Sequence, residues 1–260
     1  MIYFPEFNGG VVHWLCALSL VAAPIVYLTE SRGLNLGYSK FASRAAALAL
    51  PSRVGMLILY APSVVLFPCM LLAHGVEWTT WHLVTAALIS LHFAKRCLEA
   101  LYVHRYSGVM NLESVVFICL WYSAATGFLG YVAATEVDAE LIASPAFHPW
   151  YLLGALAWIA GTGLNYLHHE LLARLRAPGE TGYKLPTAGL FRWIACPHYL
   201  AELLAWWGYA LVFHHVAAAA LAVIMTGYLF GRADSTLRWY RDRLGHAVPR
   251  DWKRIVPRVF

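Results

Sequence analysis

Long apolar segments separated by short polar connections are the main pattern of this 260-residue sequence. Each segment approaches the length of about 20 residues that a helix needs to cross a bilayer. The seven segments lie at residues 11 to 28, 54 to 74, 79 to 101, 113 to 135, 149 to 171, 199 to 214 and 216 to 233. Because they are continuous rather than alternating in polarity, helices are favoured over the strands of a membrane barrel. The pattern predicts an all-α integral membrane protein with seven transmembrane helices.

The two ends of this pattern leave alternatives open. A short hinge, Phe213 to His215, separates the last two segments, so one long bent helix is the alternative there. The first segment begins near Val11 after an acidic start and has no evident cleavage site, which favours a retained helix over a signal peptide.

Basic residues predict the orientation of these helices. All 19 lysines and arginines fall into four clusters: Arg32, Lys40, Arg44 and Arg53; Lys95, Arg96 and Arg105; Arg174, Arg176, Lys184 and Arg192; and the stretch from Arg232 to Arg258. The intervening connections, around Glu77, around Glu136, Asp138 and Glu140, and around Phe213 to His215, carry none. Since basic loops stay on the cytoplasmic side, the N-terminus is predicted outside and the C-terminus in the cytoplasm.

Composition agrees with a membrane protein of one domain. The chain is 60% hydrophobic and 13% charged, whereas about a quarter of the residues of a soluble domain are charged. The net charge of +5 lies at the ends of apolar segments, where it suits lipid headgroups or an anionic ligand rather than nucleic acid. The five cysteines show neither a close pair nor metal-type spacing. Without internal repeats, residues 1 to 260 are predicted to form a single domain.

Ionisable and amide side chains inside the segments are the first candidates for function, since they are costly in a membrane. Arg96 and Glu99 share a helix face, so mutual neutralisation is the alternative to a functional role. Asn165 and His169 are one turn apart, with His168 between them, and could satisfy each other's hydrogen bonds.

Two later segments carry further candidates. Glu202 lies in the first turn of the sixth segment, where the helix dipole alone would favour it, but it shares a face with His198 and Trp206. Arg232 lies near the end of the seventh segment with Tyr240 two turns on, and snorkelling to headgroups is its alternative.

The loop from Arg174 to His198 combines basic and aromatic residues with helix breakers. Together with the polar groups at the nearby helix ends, it predicts a pocket for a phosphate-bearing cofactor, because guanidinium groups grip phosphate in a fork. No dinucleotide glycine fingerprint or Walker-type loop is present. No metal site is predicted, since His168 and His169 are adjacent and face apart, and His214 and His215 lie at the outer surface.

Several motifs resemble those of the membrane steroid 5α-reductase family, which includes trans-2-enoyl-CoA reductases. They are Gly37-Tyr38-Ser39-Lys40, Leu50-Pro51-Ser52-Arg53, Leu91 to Arg96, Val103-His104-Arg105, Gly163-Leu164-Asn165, Arg176 to Glu180, Tyr183 to Pro186 and Gly189-Leu190-Phe191. The stretch from Leu91 to Arg105 is closer to the enoyl-CoA branch. Cys196 to Glu202 is less specific, because similar blocks occur in other sterol reductases and in isoprenylcysteine methyltransferases.

The resemblance implies seven helices and NADPH-dependent reduction of a carbon–carbon double bond conjugated to a carbonyl, with the cofactor held by roughly residues 90 to 260. A 3-oxo-Δ4 steroid is the first expectation for the substrate. The positions that match family cofactor contacts are Arg96, Asn165, Arg176, Glu202, Arg232 and Tyr240, with Tyr38 and Tyr183 as helpers. His169 stands where the steroid enzymes have an aspartate, and His198 where they have an asparagine.

The chain departs from the family at the carbonyl end of the substrate. The steroid enzymes carry a Gln-Glu pair in the second helix and a tyrosine in the third, where this chain has Leu59, Tyr60 and Phe93. We therefore expect Tyr60 to be the carbonyl-side donor, with an ordinary core tyrosine as the alternative. Leu59, Phe93 and Trp206 are expected to wall the substrate pocket.

Three other functions stay open from sequence. They are trans-2-enoyl-CoA reduction, a membrane methyltransferase that uses S-adenosylmethionine, and a cofactor-binding protein without reductase activity. The expected partners are a hydrophobic small molecule and the lipid bilayer. The sequence leaves open whether that bilayer is a bacterial inner membrane or the endoplasmic reticulum.

Overall fold

The computed structural model describes residues 10–42, 48–106, 108–137, 149–177, 180 and 182–260. Its helices are α1 Val11–Ser31, α2 Ser52–Tyr60, α3 Leu66–Ala73, α4 Thr80–Leu98, α5 Leu112–Thr135, α6 Pro149–Arg174, α7 Pro197–Phe213 and α8 Val216–Leu244. A π-helical turn, Glu99–Val103, continues α4, and short 3-10 helices lie at Ser39–Phe41, Pro62–Val64, Gly189–Arg192 and Gly245–Ala247. Strands β1 Ala49–Pro51 and β2 Val109–Asn111 pair antiparallel. The structure is therefore mainly helical, as the sequence predicts, apart from this short pair of strands.

Helices cover all seven predicted segments, and within the described residues four stretches are long and apolar enough to span a membrane by length and composition. These are Val11–Ser31, Ser52–Ala73, Leu112–Thr135 and Val216–Ala247. The protein is thus a multi-pass membrane protein. Arg44, Asp138, Glu140, Pro178 and Gly179, which the sequence places in loops, lie outside the described residues.

The second segment is broken in a way that the hydropathy pattern does not predict. α2 ends at Tyr60, and the 3-10 turn Pro62–Val64 leads into α3. Proline lacks a backbone N–H and clashes with the preceding turn, which explains an interruption here. The break leaves Tyr60 at the last turn of a helix, with its side chain 7% exposed.

The hinge near the C-terminal end separates two helices rather than bending one. α7 ends at Phe213, and His214 adopts a left-handed conformation with φ of 64°. The His215 side chain accepts a hydrogen bond from the backbone N–H of Ala217 (3.1 Å) and so caps the start of α8. The prediction of two helices here is confirmed, and the alternative of one long bent helix is wrong.

The backbones of α6 and α7 are in direct contact. A Cβ atom built on Gly161 would lie 2.4 Å from the backbone nitrogen of Ala205 and 2.7 Å from the carbonyl oxygen of Ala201. Gly208 approaches the backbone of Trp158 in the same way, at 2.5 Å. Small residues at such crossings let two membrane helices pack closely.

We expect Gly161→Ala to lower the free energy of unfolding by about 1 to 3 kcal/mol, because the added methyl group must push α7 away. Thermal unfolding of the detergent-solubilised protein measures this loss. Gly163→Ala is the matched control, since a Cβ there meets nothing within 4 Å. Equal melting temperatures for the two variants would contradict the contact.

Candidate active site

A cavity of about 270 Å³ lies where one end of α4, α6, α7 and α8 meets the loop after α1 and the loop after α6. We call it the main cavity. Ten of the residues that the sequence predicts for the site line it: Tyr38, Tyr60, Arg96, Asn165, His169, Arg176, Tyr183, His198, Glu202 and Tyr240. The structure therefore brings together side chains that are up to about two hundred positions apart in the chain.

Arg96 connects Tyr60 to a buried carboxylate. Its Nη2 donates to the Tyr60 hydroxyl oxygen (2.9 Å), and its guanidinium lies 5.0 Å from the centre of the Tyr60 ring. Its Nη1 donates to Oε2 of Glu99 (2.6 Å). Since Arg96 already supplies a donor to the phenolic oxygen, the proton of Tyr60 is left to point elsewhere.

Glu99 is the centre of a charged network. It is 1% exposed, and its Oε1 lies 2.9 Å from Nζ of Lys95 and 3.1 Å from Nδ1 of His169. Lys95 also donates to the side-chain oxygen of Asn165, whose amide group donates to the backbone carbonyl of His198 (2.9 Å). The ion pair of Arg96 with Glu99, which was the alternative from sequence, is therefore present, within a network that also fixes residues lining the cavity.

Glu202 is held from a second direction. Its Oε1 lies 3.2 Å from Nε2 of His92 and accepts a hydrogen bond from Nε1 of Trp206 (3.3 Å). These contacts link α7 to α4, so the helix dipole is not the sole partner of this carboxylate. Asn165 and His169 likewise bond to other residues rather than to each other.

Arg232 is buried rather than snorkelling to a membrane surface. It is 1% exposed, and its Nη1 donates to Oε2 of Glu30 (3.2 Å). Its Nη2 donates to the backbone carbonyl of Tyr38 (3.3 Å), and its guanidinium lies 4.2 Å from the centres of the Tyr38 and Phe41 rings. Arg232 is thus not among the residues that line the main cavity, but it positions Tyr38, which is.

The mouth of the main cavity is basic and aromatic. Arg176 donates to the backbone carbonyl of Arg105 (2.6 Å), and its guanidinium lies 5.9 Å from the centre of the Tyr183 ring. Lys40 lies 5.1 Å from the centre of the Tyr240 ring. Burial lowers the pKa of Lys40 to about 8, and the neighbouring Arg232 acts in the same direction, so an anion beside Lys40 would raise this pKa again and favour the charged form.

A second, apolar cavity of about 140 Å³ adjoins the first; we call it the apolar chamber. Leu59 lines it, as predicted for the substrate pocket. Phe93 and Trp206 lie in the buried layer behind, where Phe93 packs against Tyr60 and Tyr122 and Trp206 packs against His92. Six residues line both cavities and form what we call the shared wall: Tyr38, Met56, Tyr60, Tyr122, Met225 and Tyr228.

Several residues of the site are absent from the sequence-based set. Lys40, His92, Tyr122 and Tyr228 line the main cavity, and Glu30 anchors Arg232. Tyr228 is one helical turn from Arg232, so a search for polar residues on that face would have found it. The sequence around Glu30 does not indicate this role, because its partner, Arg232, is 202 positions away.

Glu99, His104 and His169 come close enough to hold a metal ion, with candidate ligand atoms within 4.8 Å of one another. Glu99, however, already neutralises Lys95 and Arg96, and a bound cation would stand beside these two positive charges. Burial, with His169 and Arg96, lowers the pKa of His104. The electrostatics of this end of the cavity suit an anion better than a cation.

The residues present fit a dinucleotide cofactor. Among the described lining residues, five cationic side chains stand against the one carboxylate of Glu202; they are Lys40, Arg96, Arg105, Arg176 and Lys184. Nδ1 of His198 is buried and has no hydrogen-bond partner within the described part of the chain. A buried polar atom without a partner is costly, so a ligand group that bonds to it would be favoured. The planar guanidinium group of arginine can donate two parallel hydrogen bonds to phosphate oxygens.

Comparisons with known proteins agree with this chemistry. The family model of 3-oxo-5-alpha-steroid 4-dehydrogenases matches residues 109–260. The 3-oxo-5-alpha-steroid 4-dehydrogenase 1 of Bos taurus is 30% identical over 250 residues, covering 93% of each chain; that of Homo sapiens is 28% identical, covering 89% of each. The very-long-chain enoyl-CoA reductase of Dictyostelium discoideum is 30% identical, over 67% of this chain and 57% of the relative. This chain therefore belongs to the 3-oxo-5-alpha-steroid 4-dehydrogenase family.

Proposed function

We propose that this chain reduces the carbon–carbon double bond of a 3-oxo-Δ4 steroid with NADPH, using Tyr60 as the proton donor to the carbonyl. Family membership makes the chain an oxidoreductase that acts on C=C bonds, and a hydride carrier of the nicotinamide type is implied. The observation that carries the proposal is the shared wall. A basic cavity suited to a dinucleotide and an apolar chamber suited to a hydrophobic substrate meet at the same tyrosines.

NADPH is favoured over NADH by the charge around the main cavity. The pyrophosphate of either cofactor carries two negative charges, and NADPH adds a further phosphate. Of the five cations that line the cavity, Arg96 and Lys184 pair with Glu99 and Glu180. The further phosphate of NADPH adds to the attraction that Lys40, Arg105 and Arg176 exert on the cofactor. We assign cofactor binding to the predicted residues Tyr38, Arg96, Asn165, His169, Arg176, Tyr183, His198, Glu202 and Tyr240, to which we add Lys40. Arg232, the remaining predicted residue, would act through Tyr38, which it positions.

Tyr60 has the surroundings that a proton donor needs. When bound, the reduced nicotinamide supplies the hydride that adds to the β-carbon of the enone. Negative charge then develops on the carbonyl oxygen, and the free O–H of Tyr60 can bond to that oxygen and deliver its proton. Arg96, which donates to the Tyr60 oxygen at 2.9 Å, stabilises the phenolate that is left. Leu59, Phe93 and Trp206 would line the substrate pocket or pack behind the residues that line it.

An acyl thioester is the second candidate substrate. The enoyl-CoA reductase relative and the stretch from Leu91 to Arg105 favour it. The same tyrosine chemistry serves a thioester carbonyl, so the residues around Tyr60 do not separate the two substrates. Family membership favours either reduction over the methyltransferase considered from sequence.

The membrane arrangement is part of the proposal. We propose seven spans with the N-terminus outside and the C-terminus in the cytoplasm, in a single domain of residues 1 to 260. Support comes from the main cavity, which is lined by cations of three basic clusters: Lys40 from the first, Arg96 from the second and Arg176 from the third. Arg232, from the last cluster, bonds to the backbone of Tyr38, which lines the same cavity. Clusters that meet around one cavity lie at one end of the bundle, as a common cytoplasmic side requires.

Turnover by the purified full-length chain tests the function. We expect NADPH to be oxidised in the presence of testosterone, faster than NADH, and to raise the melting temperature of the protein because it binds only the folded state. Matched reactions with trans-2-hexadecenoyl-CoA separate the two substrates. Stabilisation by S-adenosylmethionine instead of NADPH, or no oxidation with either substrate, would overturn the proposal.

A further inference from the structure

Tyr228 is a hydroxyl-bearing residue of the shared wall to which no role has been assigned so far. It projects from α8, one turn before Arg232, and lines both the main cavity and the apolar chamber. Its hydroxyl is hydrogen-bonded to the hydroxyl of Tyr38. The predominantly apolar chamber therefore has the Tyr228 hydroxyl on the same wall as those of Tyr38, Tyr60 and Tyr122.

A bonded pair of hydroxyls always retains one unused proton. One hydroxyl donates and the other accepts, so the acceptor still has its own O–H for a third atom. Which of the two accepts is decided by the charges nearby. Arg232 lies 4.2 Å from the centre of the Tyr38 ring, and a cation over a phenol ring makes its O–H the stronger donor.

The favoured arrangement therefore runs from Tyr38 to Tyr228. Tyr38 donates to the oxygen of Tyr228, and this bond polarises the O–H of Tyr228 toward a further acceptor. Arg232 is fixed in turn by Glu30 and by the backbone carbonyls of Leu36 and Tyr38. Tyr60, on the same shared wall, has the equivalent arrangement, since Arg96 donates to its oxygen and leaves its O–H for another acceptor.

We propose that Tyr228 is a second catalytic residue, which donates a hydrogen bond to the substrate carbonyl oxygen alongside Tyr60. The inference rests on the proposed function and extends it. Two converging O–H donors form an oxyanion hole for the enolate oxygen. The hydroxyls of Tyr60 on α2 and Tyr228 on α8 would take the place of the Gln-Glu pair and the tyrosine that the family resemblance places at the carbonyl end of the substrate.

The two tyrosines have different parts in the reaction. Hydride addition forms the bond from hydrogen to the β-carbon, and the electron pair of the double bond moves onto the oxygen as an enolate. Tyr60 transfers its proton to that oxygen, giving an enol that converts to the saturated ketone by proton exchange with water, and its phenolate regains a proton from water. Tyr228 keeps its proton throughout and only stabilises the charge, so electrons and protons balance with one hydride and one proton consumed.

Tyr228→Phe tests the assignment in the full-length chain with testosterone and NADPH. We expect kcat to fall about 10- to 100-fold, the loss of a hydrogen bond to a charged oxygen, with KM for NADPH unchanged. Without cofactor, the variant should bind testosterone more weakly than wild type, yet bind its 3-deoxy analogue, which lacks the ketone, equally well. Tyr166→Phe is the matched control, because this tyrosine is 43% exposed on α6.

The outcomes separate the inference from the function on which it rests. If the wild-type protein turns over testosterone and the kcat of Tyr228→Phe is within twofold of the wild-type value, the inference alone is overturned. If the wild-type protein turns over neither testosterone nor trans-2-hexadecenoyl-CoA, both the inference and the proposed function are overturned. If it turns over the thioester but not testosterone, the kcat and binding measurements are made with the thioester instead. An equal loss of affinity for testosterone and its 3-deoxy analogue also overturns the inference, since it shows a packing role.

Tyr38→Phe supplies a second test, which also serves if Tyr228→Phe fails to fold. It removes the donor that polarises Tyr228 but leaves the Tyr228 hydroxyl in place. We expect a smaller fall in kcat, about two- to fivefold, because only the cooperative strengthening is lost. An unchanged kcat would contradict the arrangement from Tyr38 to Tyr228.

Discussion

Tyr60→Phe is expected to lower kcat by about 10²- to 10⁴-fold, the usual contribution of a positioned general acid. The substitution removes one oxygen and retains the ring that packs against Phe93 and Tyr122 and under Arg96. Arg96 stays fixed by Glu99, at 2.6 Å. The effect should therefore appear in the chemical step and leave the affinity for NADPH as it is.

Single-turnover oxidation of NADPH with saturating substrate measures this step directly. Tyr102→Phe is the control, because that side chain is 80% exposed and outside the main cavity. If Tyr60→Phe turns over within threefold of wild type, Tyr60 is a packing residue and the proton comes from elsewhere.

Arg232→Leu is expected to have the largest effect on stability. The guanidinium and the Glu30 carboxylate are 1% and 4% exposed and 3.2 Å apart. Removing one partner of a buried pair leaves the other charge without compensation, which costs about 3 to 5 kcal/mol. Glu30 also bonds to the side chain of Asn35 (2.6 Å), so the loop after α1 should loosen and Tyr38 should lose its support.

The free energy of unfolding in detergent, followed by circular dichroism, measures the loss. A Glu30→Gln/Arg232→Leu double variant should be more stable than Arg232→Leu alone, since no charge is left buried. Arg174→Leu is the surface control: its side chain is 71% exposed in an ion pair with Glu170, and such pairs contribute about 0 to 1 kcal/mol. Equal losses for Arg232→Leu and Arg174→Leu would show that the buried pair has no special importance.

In the described part of the chain, hydropathy alone predicted the segments that the α-helices occupy, because these are long and continuously apolar. It did not predict the 3-10 helices or the extension of α8 to Leu244. It could not locate the break after Tyr60, since Pro62 and its neighbours are as apolar as the helix around them. The short pairing of β1 with β2 was also invisible, because three-residue strands carry too little pattern. Helix existence is a local property of the chain, whereas these details depend on neighbours.

The site shows the same division between local and distant information. Residue type and helix spacing singled out Arg96, Asn165 and Glu202, which the cavity brings together. Spacing could not show that Arg232 is buried, because its partner Glu30 belongs to the first helix. Nor could it pair Tyr38 with Tyr228, a contact across 190 positions that only the packing of α1 and its loop on α8 creates.

The backbone contact of α6 with α7 has a consequence for ligand binding. Helices that touch through Gly161 and Gly208 have no layer of side chains between them that could repack. Asn165, on one, and Glu202, on the other, are therefore carried by a single rigid body whose spacing is set before any ligand arrives. We therefore expect adjustment to substrates of different shapes to come from other elements around the cavity, such as α2, which ends at Tyr60 where its segment is interrupted.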